Sequence, residues 1–275
     1  MDENEARGRA DDPKEEQDAR LADGPTARFT TRVENYLKAR PGYPAEIVAL
    51  LQERCGLTRK AVLVDVGCGT GLLAKVFCEF GCRVLGVEPN AAMREAGRRS
   101  LAAYPNFEMR DGQAEFLPFA AASADFITAG QAFHWFDLDR SRQEFMRILK
   151  PAGWAVLVWN DRELAGSKFA EDYESLVVRL GTDYPGVRQR GQATLAAFER
   201  FFGNRAFARH SYPNRQELDY PGFVARALSS SYMPAPGHPD HPATMLALDR
   251  IFREHETAGV VTMCYTTTVT YGQMS

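Results

Sequence analysis

The sequence lacks several features that would assign a function class directly. It has no G-x-S-x-G, H-E-x-x-H or P-loop motif, and no apolar run approaches the ~18 residues that a membrane span requires. Acidic residues (36) outnumber basic ones (33), and residues 1–24 alone carry a net charge of −5, so the rest of the chain carries about +2. A near-neutral body gives no electrostatic reason to expect nucleic acid or an anionic membrane as a partner.

Frameworks of disulfides or metal ligands are also missing. The five cysteines are odd in number and form no C-x-x-C pair. Cys78 and Cys82 lie one helical turn apart, which suits a metal or redox pair, but we favour buried thiols in a reduced cytoplasm. His238 and His241 lie in a proline-rich loop without a third ligand at a recognised spacing, so no metal site is predicted.

The first residues of the chain differ from the rest in composition. Residues 1–25 contain almost no large apolar side chain, so they cannot offset the entropy of ordering, and we expect a disordered acidic tail. No apolar h-region follows the charges, so a signal peptide is not predicted. We expect a cytoplasmic protein, either a monomer or a weak homodimer.

Strand and helix patterns alternate through the first part of the chain. The predicted strands are 61–66, 83–87, 107–110, 125–129 and 154–159. The predicted helices are 45–55, 70–80, 91–103 and 138–149. Continuous apolar strands separated by amphipathic helices predict a parallel sheet covered on both faces, and ligands of such sheets bind beyond the carboxyl ends of the strands.

Beyond Asp161 the pattern changes. Helical patterns at 168–180, 192–201 and 242–256 mix with strand-like segments at 207–212 and 260–271. The predicted fold class is therefore α/β, with a doubly wound (Rossmann-like), mostly parallel seven-stranded sheet, an antiparallel C-terminal strand and an inserted helical cap.

A glycine-rich turn follows the first predicted strand. The stretch VLVDVGCGTG contains Gly67, Gly69 and Gly71, and a helical pattern starts at Leu72. A strand, a glycine turn and a helix N-terminus together form a cradle for a nucleotide cofactor. Dinucleotide folds require G-x-G-x-x-G, whose last glycine is replaced here by Leu72, and Asp65 would repel a pyrophosphate. The turn therefore favours a cofactor that carries an ammonium and a sulfonium.

Two later segments have the residue types that bind a nucleoside. Glu88 ends the second predicted strand, where an acid accepts hydrogen bonds from a ribose diol; alternatively it caps the helix that begins after Asn90. After the third strand, Gln113 is suited to the adenine edge and the Ala114 N–H to a ring nitrogen. The role of Glu115 is left open.

These segments together resemble the class I S-adenosyl-L-methionine-dependent methyltransferases. The matching motifs are DVGCGTG at 65–71, GVEP at 86–89 and GQAEFLP at 112–118. The resemblance implies that the glycine turn passes the methionine part of the cofactor, that Glu88 and Pro89 border the ribose, and that the strand-3 loop holds adenine. Gln113 departs from the Asp often found at its position.

A narrower resemblance extends over almost the whole chain. The segments FTTRVENY with RPGYP at 29–44, GQAFHWFD at 130–137 and ALSSSYMP at 227–234 are similar to small-molecule methyltransferases that include relatives of the trans-aconitate methyltransferases. The N-terminal helix of such proteins folds over the cofactor, which makes Tyr36 and Arg40 candidate contacts. Arg40 is suited to a bidentate contact with the cofactor's carboxylate, or to a structural ion pair.

The end of the fourth predicted strand holds the candidates for chemistry. His134 has a pKa range suited to taking a proton from an acceptor, or it is a packed histidine bonded to the backbone. Gln131 and the Ala132 backbone are expected to border the cofactor. Trp135 and Phe136 are expected to form a pocket wall or part of the core.

The resulting prediction is methyl transfer from S-adenosylmethionine to a small-molecule acceptor by in-line displacement. A cofactor-binding domain (26–160) with a lid helix is expected to be completed by the cap and C-terminal strands (161–275), where Arg226 and Tyr232 are candidate acceptor contacts.

The alternative functions are a non-catalytic cofactor-binding module and a nicotinamide-dependent oxidoreductase. A nucleic-acid or protein methyltransferase is disfavoured because the chain has no basic excess and no Asp/Asn-Pro-Pro-Tyr motif. The acceptor and its accepting atom stay open.

Overall fold

The structure is a computed structural model, and it describes residues 39–186, 194–203 and 205–274. The expected acidic tail and Tyr36 lie outside the described residues. The strands are β1 (Val62–Val66), β2 (Arg83–Val87), β3 (Phe107–Arg110), β4 (Ala124–Gly130), β5 (Leu149–Arg162), β6 (Phe207–Leu218) and β7 (Val261–Gln273). The α-helices are α1 (Glu46–Cys55), α2 (Leu72–Phe80), α3 (Ala91–Ser100), α4 (Leu138–Ile148), α5 (Lys168–Leu180), α6 (Leu195–Phe202), α7 (Tyr220–Leu228) and α8 (His241–His255). Within these ranges, no helix is long and apolar enough to cross a bilayer.

All seven strands form one sheet with the order β3-β2-β1-β4-β5-β7-β6. The pairs from β3 to β5 are parallel, whereas β7 runs antiparallel between β5 and β6. The predicted fold class is therefore confirmed, including the antiparallel C-terminal strand. Because strand order reverses between β1 and β4, their carboxyl ends flank the crevice in which doubly wound sheets bind ligands.

Helices cover both faces of the sheet, as the apolar strands require. On one face, α1 and α2 pack Leu51 and Phe77 against the strands. On the other face, Phe145 of α4 and Phe201 of α6 join a cluster of aromatic rings. Both faces of the central strands are thereby removed from water, which explains why these strands are apolar throughout instead of alternating.

Two strands are longer than the sequence predicted. The segment predicted as 207–212 continues to Leu218, and the one predicted as 154–159 runs from Leu149 to Arg162. Exposure alternates along β6 because one side of this edge strand is solvated. The polar residues on that side interrupt the apolar pattern, so the sequence predicted a shorter strand. Pro213 is tolerated there because an edge strand has one unpaired side.

Two helix predictions need correction. The helix predicted over 91–103 ends at Ser100, where Leu101 leaves the helical conformation. Helix α7 was missed, and Arg226 lies within it instead of in a loop. Its start carries the expected signals, because Asp219 accepts a hydrogen bond from the Gly222 N–H at 2.8 Å and Pro221 occupies the first turn.

The C-terminal helices form the predicted cap around the extended ends of β5, β6 and β7. Helices α5, α7 and α8 share a separate apolar cluster that includes Tyr173, Phe223 and Leu248. Met263 and Tyr265 of β7 belong to the same cluster. The cap is therefore built on the same strands that form one side of the sheet.

The aromatic cluster on the second face generates a stability prediction. Phe201 is fully buried, and its ring centroid lies 4.9 Å from that of Phe133 and 5.3 Å from that of Phe145. We expect Phe201→Ala to lower the free energy of unfolding by about 3–5 kcal/mol in urea denaturation, because it leaves a cavity. The control Phe116→Ala removes a ring that is 74% exposed, and it should change this free energy by less than about 0.5 kcal/mol. Equal losses in the two variants would contradict the prediction.

Candidate functional site

The glycine turn after β1 is shaped by close contacts. Gly67 has a φ of 67°, and an added Cβ would lie 2.5 Å from the Cβ of Ala132. Gly71 has a φ of 86°, and its added Cβ would lie 2.6 Å from a side-chain carbon of Leu101. A side chain at either position would therefore meet both backbone strain and a clash. The turn packs directly against the loop that follows β4.

Glu88 is held at the end of β2 by two backbone hydrogen bonds. Its Oε2 accepts from the Gly69 N–H at 2.9 Å, and its Oε1 accepts from the Asn90 N–H at 2.9 Å. Burial raises the pKa of Glu88, and the two hydrogen bonds oppose that shift. Asn90 in turn caps α3 by accepting from the Met93 N–H. Glu88 therefore braces the start of α3, as the alternative interpretation proposed, and fixes the glycine turn as well.

A cavity of about 290 Å³ lies at the carboxyl ends of β1, β2 and β4. It is lined by Gly67, Gly69, Glu88, Pro89, Asn90, Met93, Gln113, Ala114, Glu115, Gly130, Gln131, Ala132, Trp135 and Phe136. Among the described residues of this lining, Glu88 and Glu115 are the charged side chains, and none is a lysine or an arginine. The wall is therefore acidic where a phosphate-binding site would be basic or neutral.

The loop after β3 closes one side of this cavity. Ala114 is buried, and the Gln113 carbonyl accepts from the Phe116 N–H at 3.0 Å to form a tight turn. Glu115 accepts from the Asp137 N–H at 2.7 Å, which ties this loop to the start of α4. Glu115 thus has a structural role that the sequence left open.

Asp65 lies at the end of β1 but does not line the large cavity. It borders an adjoining space of about 30 Å³ together with Tyr43, Gly67 and Gly130. Thr128 Oγ1 donates to Asp65 Oδ1 at 2.6 Å, and Asp65 is only 1% exposed. Burial raises the pKa of Asp65 to about 6, and the Thr128 hydrogen bond opposes the shift.

Asn160 connects the end of β4 to the N-terminal segment. Gln131, which adopts a φ of 54°, donates from Nε2 to the Asn160 carbonyl at 2.8 Å. The Asn160 side chain donates to the Gly42 carbonyl at 3.1 Å and accepts from Thr267 Oγ1. The segment around Gly42 is thereby held over the site, with the Tyr43 hydroxyl 2.6 Å from where a Cβ on Gly130 would lie.

The sequence missed Asn160 and Tyr43 as site residues. A polar residue at the carboxyl end of a central apolar strand was an available signal for Asn160. Tyr43 belongs to the RPGYP segment, in which only Arg40 was singled out.

Several predicted site residues lie away from the large cavity. His134 is in a 3-10 turn (Phe133–Trp135), and its ring lies 4.7 Å from that of Trp135 and 5.7 Å from that of Trp159. Arg40 donates from Nη2 to the Ser229 carbonyl at 3.0 Å. Neither His134 nor Arg40 lines the cavity, whereas their neighbours Gln131, Trp135 and Phe136 do.

The cap residues singled out from the sequence are also separate from this cavity. Arg226 is 6% exposed, and its Nε donates to the Tyr265 hydroxyl at 2.9 Å. The Tyr232 ring lies 4.9 Å from that of Tyr184. Both belong to the surroundings of the cap core.

Known proteins match both the sequence and the fold. Residues 64–157 match a family model described as a methyltransferase domain. An uncharacterized methyltransferase of Schizosaccharomyces pombe is 29% identical over 136 residues, which are 49% of this chain and 53% of the relative. One of Mycobacterium tuberculosis is 35% identical over 135 residues, which are 49% and 53% of the two chains. The chain thus spans about half the length of the curated relatives it matches.

The fold extends this match beyond the aligned half. The structure of a candidate type II methyltransferase from Anaeromyxobacter dehalogenans superposes with a TM-score of 0.63 at 20% identity, over 86% of this chain and 98% of that one. At this identity the likeness concerns the fold alone. The sheet order and the acidic cavity at the strand ends agree with the family match, so residues 64–157 resemble a methyltransferase domain in both sequence and architecture.

Proposed function

We propose that the chain transfers a methyl group from S-adenosylmethionine to a small-molecule acceptor by in-line displacement. The observation that carries this proposal is the acidic lining of the cavity of about 290 Å³, whose charged side chains within the described part of the chain are Glu88 and Glu115. S-adenosylmethionine carries an ammonium and a sulfonium, so an acidic wall attracts it. The pyrophosphate of a nicotinamide dinucleotide would meet the same wall with unfavourable electrostatics.

The residues around the cavity fit the parts of this cofactor. Glu88 keeps its carboxylate oriented through two N–H bonds, which leaves lone pairs for the hydroxyls of a ribose. Gln113 and Ala114 offer an amide and a backbone N–H to an adenine, and Met93 offers an apolar contact. The adjoining space beside Asp65 is suited to the ammonium. Bound in this way, the cofactor supplies an electrophilic methyl group on sulfur.

The chain itself contributes positioning and exclusion of water. Trp135 and Phe136 wall the cavity on the β4 side, and Tyr43 and Gly130 border the adjoining space. Residues 161–275 supply the cap that completes the acceptor side of the domain. An acceptor carboxylate or thiolate needs no base, whereas a hydroxyl or an amine needs one, for which His134 is the candidate.

The position of His134 also favours a second candidate function, a non-catalytic module that binds the cofactor. Its ring lies against Trp135 and Trp159 and does not line the cavity. Incubation with methyl-labelled S-adenosylmethionine and a metabolite extract separates the two functions. A labelled small product excludes the binding module, whereas tight cofactor binding without any labelled product favours it.

Replacing Glu88 tests the cofactor assignment. We expect Glu88→Gln to weaken S-adenosylhomocysteine binding about 10- to 100-fold in calorimetry, because an amide cannot accept from both backbone N–H groups and also from a ribose. Glu108→Gln is the matched control, because Glu108 is exposed on β3 and pairs with Arg110. Unchanged affinity in a folded Glu88→Gln variant would refute the ribose role.

Titration of Asp65 predicts a pH dependence of cofactor binding. Its pKa of about 6 means that the carboxyl group is protonated below this pH and charged above it. Only the charged form attracts the ammonium, so the affinity for S-adenosylmethionine should rise as pH rises through about 6, roughly tenfold between about pH 5 and about pH 7. Asp65→Asn should remove most of this dependence in calorimetry at the two pH values. A variant that retains the full dependence would assign it to another group.

A separate prediction concerns His134. If it removes a proton from the acceptor, His134→Ala should lower the rate of methyl transfer by roughly 100-fold or more without changing the affinity for S-adenosylhomocysteine. The control His210→Ala changes a histidine of β6 whose ring lies 5.8 Å from that of Tyr271, and it should retain the normal rate. Normal turnover by His134→Ala would show that the histidine only packs.

A further inference from the structure

The cap contains a buried group of arginines and tyrosines that we call the arginine–tyrosine cluster: Arg162, Arg226, Tyr173 and Tyr265. The Arg162 guanidinium carbon lies 4.8 Å from the centroid of the Tyr173 ring, and that of Arg226 lies 5.7 Å from the centroid of the Tyr265 ring. Burial raises the pKa of Tyr173, and both guanidinium groups are close enough to oppose this shift. The four side chains therefore form one electrostatic unit.

This cluster has more positive charge than its surroundings neutralise. Arg162 forms an ion pair with Glu174. Arg226 donates instead to neutral hydroxyls, from Nε to Tyr265 and from Nη1 to Ser230 at 3.2 Å. Within the described ranges, no carboxylate lies at ion-pair distance from Arg226, although the residue is only 6% exposed. A buried charge without a counterion is strongly unfavourable, so an anion from outside the chain would stabilise it.

Two polar atoms of the cluster are buried and have no hydrogen-bond partner among the described residues: Nη1 of Arg162 and the hydroxyl of Tyr173. The Arg162 side chain is 10% exposed and Tyr173 is 1% exposed. Buried polar atoms are nearly always hydrogen-bonded in folded proteins. Two buried atoms without a partner on neighbouring side chains therefore indicate a position for a ligand.

The same two side chains line a cavity of about 100 Å³. Glu163, which is exposed, is the carboxylate of the described lining. Ser167, which caps α5 by accepting from the Ala170 N–H, and Phe169 also border this cavity. The cavity thus lies at the N-terminal end of a 13-residue helix, where the backbone favours negative charge. A guanidinium, a phenol and a helix N-terminus together match the chemistry of a carboxylate or a phosphate.

Strand β5 relates this cavity to the cofactor site. Gln131, which lines the cofactor cavity, donates to the Asn160 carbonyl, and Arg162 follows two residues later on β5. Residues two apart on a strand lie on the same face, about 7 Å apart. Arg162 thus lies two positions along β5 from the residue that holds Gln131 at the cofactor cavity, and this proximity is the reason to relate the two sites.

We propose that the cavity beside the arginine–tyrosine cluster binds an anionic group, a carboxylate or a phosphate, of the methyl acceptor. This inference rests on the proposed transferase function. It assigns the anion as the group that orients the acceptor, held by Arg162 and Tyr173, with Arg226 supplying uncompensated charge.

Anion binding can be tested without knowing the acceptor. Acetate and inorganic phosphate are titrated separately against the full chain, with chloride at equal ionic strength as the reference, and the melting temperature is recorded. We expect one of the two to raise the melting temperature more than chloride does. Tyr173→Phe and Arg162→Gln should weaken the apparent affinity for that anion at least tenfold, whereas Arg179→Gln, an exposed arginine on α5, should not change it.

The Tyr173→Phe variant keeps the test informative if Arg162→Gln fails to fold by leaving Glu174 without its cation. Tyr173→Phe removes a hydroxyl that makes no hydrogen bond in the cap, so it should lose anion affinity without losing stability. No response to either anion, or equal responses in wild type and Tyr173→Phe, would overturn the proposal. Binding of S-adenosylhomocysteine, measured on the same samples, separates this failure from a failure of the proposed function.

The assignment of the anion to the acceptor has its own test. A metabolite extract is separated by anion exchange into retained and unretained fractions, and each is incubated with methyl-labelled S-adenosylmethionine and the protein. We expect labelled product from the retained fraction, reduced at least tenfold by Tyr173→Phe. Product from the unretained fraction alone would overturn the assignment.

Discussion

The site depends on the Glu88 carboxylate, which accepts hydrogen bonds from the Gly69 and Asn90 N–H groups at once. These two bonds join the glycine turn after β1, the end of β2 and the start of α3. Because a carboxylate with two backbone donors has few accessible orientations, the acid enters the cavity wall at a fixed position. The cavity can therefore present negative charge without a mobile side chain.

Asn160 has a comparable role at the opposite side of the site. Its backbone carbonyl accepts a hydrogen bond from the Gln131 side chain. Its own side chain forms hydrogen bonds with Gly42, Asn214 and Thr267, which are distant from one another in sequence. Since one buried residue bonds to all of these groups through its backbone carbonyl and its side chain, the N-terminal segment, the end of β4, β6 and β7 meet at one point. The polar network explains how a loop from the start of the chain can lie over the ends of central strands.

Much of the fold could be read from the sequence because its signals are local. The apolar strands and the glycine turn appear as continuous patterns, and Asn90 marks the start of α3. Strand β6 was shortened because its alternating charged residues resemble a loop, and α7 was missed although Asp219 and Pro221 mark its start. The cavity residues at strand ends followed from topology. The contacts of Asn160 and the pairing of Arg226 with Tyr265 span 29 to 118 residues, so no local pattern indicates them.

The continuity of β5 has a consequence for how an acceptor is selected. The strand runs without interruption from the cofactor cavity, through Asn160, to Arg162 at the edge of the cap. It pairs with β7 over this whole stretch, so the cap cannot swing away as a hinged body without breaking a ladder of backbone hydrogen bonds. The spacing between the two cavities is consequently set by the sheet itself. The length of the acceptor molecule, more than closure of the cap around it, would then decide which compounds reach both cavities.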